Sequence, residues 1–388
     1  AMDNRTERRC STTGALRLLL TVANSVAVLI VAFTVISFAA EPTPTQQATP
    51  QWTKLVQAAK GEGTVVIGTA SGDYYREVVG AAFRKEFGIK VEQIQGSASR
   101  ITQKVVLEHK AGANSVDVWV LPTSGIVGVL APSGAVTQLE PFLIVPDVIN
   151  PSNWVDGKLP FVDKGRTALR VGSGLRPIFA YNTKLVPPKE VPKSIEELMT
   201  NPRWKNKVVA GHPSGGSSAA TITRLLLALQ GEEFVRRYAA NKNFSFLPGI
   251  NTQLELMNTA RGTYEILLGT NAAFVEDLRK EGLPLDFKSI VNEIPGGHAT
   301  STSVAIATNP PHPNAAKLFA NWVLSRKAIS MIAELRVEYP MRTDAKVSNL
   351  HPEIRPRPNT LNTDTEEELA RRDKLEDRVL QLFKEMGR

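Results

Sequence analysis

The sequence predicts an α/β protein of two lobes, each a mostly parallel sheet flanked by helices, joined by two hinge strands. Three observations carry this. Short apolar strands alternate with helical patterns from residue 64 onward, which is the pattern of successive βα units. A strand broken by Gly172-Ser173-Gly174, and a second break at Pro295-Gly296-Gly297, mark two crossings between lobes. The chain has 388 residues, 42% of them hydrophobic, enough to build two cores.

The first lobe opens with a strand at 65–68, a helix at 75–87, a strand at 91–94, a helix at 99–111 and a strand at 117–121. Residues 136–169 are loop-rich, and 167–171 leads into the second lobe. There an apolar strand at 178–181 ends in Asn182. Ser194, with Glu197 three residues on, forms a capping box that starts a helix, and Asn201-Pro202 stops it. A strand at 208–210 runs through the Gly/Ser loop 214–218 into an apolar helix at 219–229. After a strand at 264–267 the chain returns at 294–307, with a strand at 302–307. Helices across 314–334 complete the first lobe. The expected domains are 51–172 plus 297–345 for the first lobe and 173–296 for the second. Residues 346–388 make a Pro/Arg-rich linker and a charged C-terminal helix. Leu375, Val379, Leu382 and Met386 share one side of that helix, which suits packing against a lobe, with partner binding as the other reading.

The N-terminal segment is of another kind. Residues 1–17 are polar with four arginines, and 18–38 are almost wholly apolar. Small residues at Ser37 and Ala39 fit a secretory signal cut near Ala39 or Ala40, so export to the periplasm is expected, with 40–50 as a flexible linker. The same run is long enough to span a bilayer, and anchorage to the outer face of the inner membrane is the alternative. Cys10, the single cysteine, precedes the cut, so the mature chain lacks disulfides, thiol nucleophiles and cysteine metal sites. The net charge is +8; four arginines against two acids in 1–39 leave +6 to the rest, a mild excess that suits an anionic ligand. No dense basic stretch with interleaved aromatics exists, which argues against nucleic acid. G-x-S-x-G, H-E-x-x-H, C-x-x-C and Walker patterns are all missing, so the chain reads as a binding protein without cofactor rather than an enzyme.

Several segments, in order, resemble the substrate-binding proteins of ABC transporters, in the class containing the ferric-iron binders. They are TVVIGTASGDYYREVVGAAFRKEFGIKVEQIQGSAS, ITQKVVLEHKAGANSVDVWV, YNTKLV, PKSIEEL, WKNKV, the Gly/Ser loop, HPNAAKLFANWVLSRKAISMIAE and EYPMRTDA, together covering 64–344. The resemblance implies a type II periplasmic binding fold acting as a monomer, a small-molecule ligand between lobes that close on it, and delivery to the transmembrane subunits of an ABC permease.

Ligands favour the carboxyl ends of parallel strands, which selects five loops. They hold Ser71; Ser97, Ser99 and Arg100; residues 121–125; Ser217 and Ser218; and Thr270 and Asn271. Hydroxyls and free backbone N–H groups at helix starts hold anions, and Arg100 can pair with one, while plain helix capping is the competing use. His212 and His298, in glycine-rich loops, are lesser candidates. The family's ferric binders use adjacent tyrosines in the second lobe, with a histidine and an acid in the first. Here 268–274 lacks a tyrosine pair, and no acid follows Asp117-Val118 at the matching place. Tyr74-Tyr75 lies in the first lobe, on residues that point about 100° apart in a helix. A carboxylate- or phosphate-bearing solute is therefore the expected ligand. A ferric iron or iron-complex receptor is the alternative, and a membrane-tethered sensor or scaffold the alternative of another class.

Overall fold

The computed structural model describes residues 49–70, 75–215, 218–348 and 350–388. The N-terminal apolar run and Cys10 lie outside the described residues. The strands, in chain order, are β1 (Thr64–Ala70), β2 (Lys90–Gly96), β3 (Val118–Pro122), β4 (Val136–Thr137), β5 (Leu169–Leu175), β6 (Phe179–Asn182) and β7 (Val208–Gly211). They continue with β8 (Phe244–Leu247), β9 (Ile266–Leu268), β10 (Leu285–Lys288), β11 (His298–Ala307), β12 (Tyr339–Pro340) and β13 (Leu361–Asn362).

Among the described residues these form two sheets. The first runs β12-β5-β11-β3-β1-β2, with β4 and β13 added to β11. The second runs β10-β6-β9-β7-β8. β1 lies parallel to β2 and β3, and β7 parallel to β8 and β9, as expected of βα units. Each sheet is nonetheless mixed rather than mostly parallel. β11 runs antiparallel to β3 and β5, and β6 antiparallel to β9 and β10. The reason is the connectivity. The links β5–β6 and β10–β11 carry the chain between sheets without a crossover helix, so the arriving strand runs against its neighbours.

Helices cover both sheets because their apolar faces need burial. Pro50–Glu62, Ala81–Phe87, Pro313–Val323 and Arg326–Arg336 pack the first sheet around Phe83, whose ring meets those of Phe319 and Trp322 edge-on at 5.0 and 5.2 Å. Ser218–Gln230, Glu232–Ala240 and the C-terminal helix Glu366–Glu385 cover one face of the second sheet. Thr252–Arg261 and Ala272–Lys280 cover the other. The capping box is half present: Ser194 accepts from the Glu197 N–H at 3.0 Å, while Glu197 turns to the N–H of Lys193 instead of Ser194.

Two elements run longer than their sequence suggests. β11 begins at His298, four residues before the expected 302, and β5 continues through its glycines to Leu175. Gly172 brings the strand close to Glu338: a Cβ there would sit 2.7 Å from its carboxylate and 3.2 Å from its Cβ. The expected helix at 75–87 opens instead as a wide π turn, Tyr75–Gly80, before Ala81–Phe87.

Candidate functional site

A cleft of about 700 Å³ lies between the first-sheet loops, the helix Ser218–Gln230 and the C-terminal helix. Ser97, Thr102, Gln103, Ser124 and Gly125 line it from the loops after β2 and β3. Thr221 and Arg224 line it from the opposite helix, and Thr300 from the hinge strand β11. Thr363 and Asp364 follow β13, and the C-terminal helix adds Leu369, Arg372, Asp373, Glu376, Asp377 and Leu380.

The walls are rich in hydroxyls. Ser97 stands at the N-cap of Ala98–Lys110, yet its side chain caps nothing. Thr123, next to Ser124, is spent on structure: its hydroxyl lies 2.7 Å from that of Ser301 and 2.6 Å from that of Ser303, tying the loop after β3 to the hinge strand. Arg224 is the main cation of the second wall, with its side chain 16% exposed. It donates to Glu376 Oε2 at 2.9 Å and to Thr221 Oγ1 at 3.1 Å. Burial lowers its pKa and Glu376 opposes that shift.

Behind the cleft lies a buried polar layer on β5 and β11. Arg176 donates to Thr300 Oγ1 and lies 3.8 Å from Glu338. Asp364 is 2% exposed and accepts from the Ser301 N–H at 2.6 Å and the Ser301 hydroxyl at 3.1 Å. Burial pushes its pKa up to about 6, against the pull of Ser301, Arg176 and Arg170. His298 is also 2% exposed, and neither ring nitrogen meets a partner among the described residues. Burial, then Arg176 and Arg224, lowers its pKa to about 3, so it is neutral.

The eight residues expected at the site fare differently. Ser97 lines the cleft, and Ser218 opens the helix that presents Thr221 and Arg224. Ser71 and Ser217 lie outside the described residues, as does the side chain of Ser99. Arg100 is exposed and is not among the lining residues. Thr270 is 1% exposed with an unpartnered hydroxyl, and Asn271 caps Ala272–Lys280 by accepting from the Ala273 N–H at 2.9 Å. Their loop is pressed against the start of Ser218–Gln230: Gly269 has φ +78°, and a Cβ there would sit 2.6 Å from the Ala219 nitrogen. Gly269→Ala should therefore cost at least about 1–2 kcal/mol from the left-handed backbone alone, plus displacement of the helix start. Urea denaturation measures the loss, and an unchanged midpoint would contradict this packing. His212 is not in the cleft wall; its ring meets Phe383 edge-on at 5.2 Å, and burial lowers its pKa.

Sequence reasoning missed Arg224 and the C-terminal helix. Arg224 had a signal: it is the one charge in the otherwise uncharged helix Ser218–Gln230. The acids of the C-terminal helix had none, since a charged face normally meets solvent.

Among the described residues tyrosine is missing from the lining, and no group of three or more His, Cys, Asp or Glu is placed to hold a metal ion. The donor set is hydroxyl, guanidinium and carboxylate, which serves polar organic groups.

Residues 79–354 match the family described as bacterial extracellular solute-binding protein. "Iron uptake protein A1" of Synechocystis sp. is 24% identical over 282 residues, covering 67% of this chain and 71% of that one. Among solved structures, iron-bound HitA from Pseudomonas aeruginosa superposes with a TM-score of 0.61 at 19% identity, covering 84% of this chain and 99% of that one. The periplasmic binding protein AfuA from Actinobacillus pleuropneumoniae, with fructose-6-phosphate bound, gives 0.65 at 18%, covering 83% and 99%. These similarities establish the type II periplasmic binding fold.

Proposed function

Because the chain belongs to the bacterial extracellular solute-binding protein family, and so serves as the solute-binding component of an ABC import system, we propose that its cargo is a small anionic solute, carboxylate- or phosphate-bearing, held in the cleft between the sheets. The observation that carries this is Arg224, a largely buried guanidinium on the cleft wall beside Thr221, facing the hydroxyl-rich loops of the other lobe. A planar fork of N–H donors matches carboxylate and phosphate oxygens, and neighbouring hydroxyls complete the shell. Iron is the rival cargo, from the names of two relatives. The described walls lack the phenolate oxygens a ferric ion prefers, so the sugar phosphate of the AfuA structure is the nearer chemical precedent. Lobe closure on the anion, and release to the permease, require no bond to be made or broken, so the protein acts by binding rather than catalysis. The apolar run at 18–38 directs export to the periplasm, where the protein acts as a monomer.

Thermal unfolding of the purified protein with citrate, a hexose phosphate, the unphosphorylated hexose and ferric chloride tests this. At a hundredfold excess over Kd a true ligand stabilises by about 2.7 kcal/mol, a shift of several degrees. Stabilisation by an anion and not by the neutral sugar is expected. A response to iron alone would overturn the reading.

A further inference from the structure

We propose that the first half of the C-terminal helix is a strap across the cleft, with Glu376 standing on Arg224 in place of the solute's anionic group, so that loading must displace this carboxylate. This rests on the anionic-cargo reading above and adds a regulator to the same site.

The helix is held unevenly. Its second half is anchored in the second lobe: Val379, Leu382 and Phe383 are fully buried, and Arg378 donates to Glu232 at 2.6 Å. Between Glu366 and Arg378 no side chain is fully buried. That half leans on the first lobe through few groups. Glu366 accepts from the Lys164 N–H at 3.0 Å, and Leu369 and Arg372 lie over Gly128. On the second lobe it is held by Leu375, which packs on the core there, and by the Arg224–Glu376 pair at 2.9 Å.

The charge distribution gives the strap its consequence. Asp373, Glu376 and Asp377 line the cleft from this helix together with Arg372, which donates to Asp373 at 3.1 Å, whereas the helix Ser218–Gln230 contributes Arg224. A free anion entering the cleft meets two guanidiniums already paired, Arg224 with Glu376 and Arg372 with Asp373, beside the carboxylate of Asp377. Binding is then an exchange of one carboxylate for another group, and the apparent affinity is reduced by the fraction of molecules in which the strap is down. The strap also touches both lobes, so hinge motion and strap release are coupled.

Titration calorimetry with inorganic phosphate and citrate, on the wild type, Glu376→Gln and Glu385→Gln, tests the exchange. Hydrogen exchange of residues 366–377 without ligand tests the strap. Glu376→Gln should bind the anion about tenfold more tightly and exchange faster at 366–377, while Glu385→Gln, whose partners Arg236 and Arg378 lie outside the cleft, should match the wild type in affinity. Unchanged exchange at 366–377 in Glu376→Gln would overturn the strap with or without a ligand. Phosphate or citrate binding equally to wild type and Glu376→Gln would overturn the competition while leaving the anionic cargo standing. Binding of neither anion to any of the three proteins would overturn the cargo reading, and the competition with it.

Discussion

Arg224→Ala should weaken binding of the anionic solute by about 30- to 100-fold, the loss of a charge-assisted pair worth roughly 2–3 kcal/mol. Arg224→Lys should fall between, because an ammonium supplies charge without the two-pronged geometry. The unliganded fold should change little. Removing the guanidinium leaves Glu376 without its partner, but that carboxylate is 27% exposed and water can reach it. The arginine itself was held against burial, so its loss also relieves a desolvation cost. Calorimetry on the three proteins, with unfolding midpoints recorded beside it, separates binding from stability. An affinity within about threefold of wild type in Arg224→Ala would mean that the guanidinium is no anchor.

The second large effect is on acid stability. His298 has its pKa lowered to about 3 by burial and by Arg176 and Arg224. The unfolded chain therefore takes up this proton from about pH 6.5 downward, while the folded protein resists it. Its contribution is fully present above 6.5 and is lost as pH falls towards 3, by up to about 1.4 kcal/mol per pH unit. Asp364 works the other way. Its folded pKa of about 6 lies above the unfolded value of 3.8, so the folded state protonates first. That contribution is present below 3.8 and is lost as pH rises through 6, so it partly offsets His298 on acidification. The groups around this layer are Arg170, Arg176, Arg224, Arg336 and Glu338. His298→Leu gives up no hydrogen bond among the described residues, where neither ring nitrogen has a partner, and should flatten the acid limb while holding stability at pH 7. Asp364→Asn should steepen it by removing the offset. Urea midpoints from pH 4 to 8 measure both, and parallel curves for His298→Leu and wild type would contradict the assignment.

The fold was largely legible because it rests on local signals. The apolar runs at β1, β3 and β7 are buried along nearly their whole length, so they read as strands without help from context. Ser194 announced its helix, since capping needs a hydroxyl within three residues of the N–H it serves. The start of β11 was not legible. His298, Thr300 and Ser301 are polar, and what keeps them in a strand is the buried layer formed with Arg176 and Asp364. The site was legible in part. Ser97 followed from the rule of carboxyl-end loops, whereas Glu376 meets Arg224 across 152 residues, and no local pattern encodes such a meeting. The stripe of Leu375, Val379 and Leu382 located the buried side of the last helix. It could not tell that the charged side faces a cleft.

Native mass spectrometry of the protein purified without added solute puts the central claim at most direct risk. A bound mass equal to an organic acid or a phosphate ester, lost in Arg224→Ala, is the predicted result. A bound mass equal to iron, or to a neutral or cationic solute retained by Arg224→Ala, would contradict it.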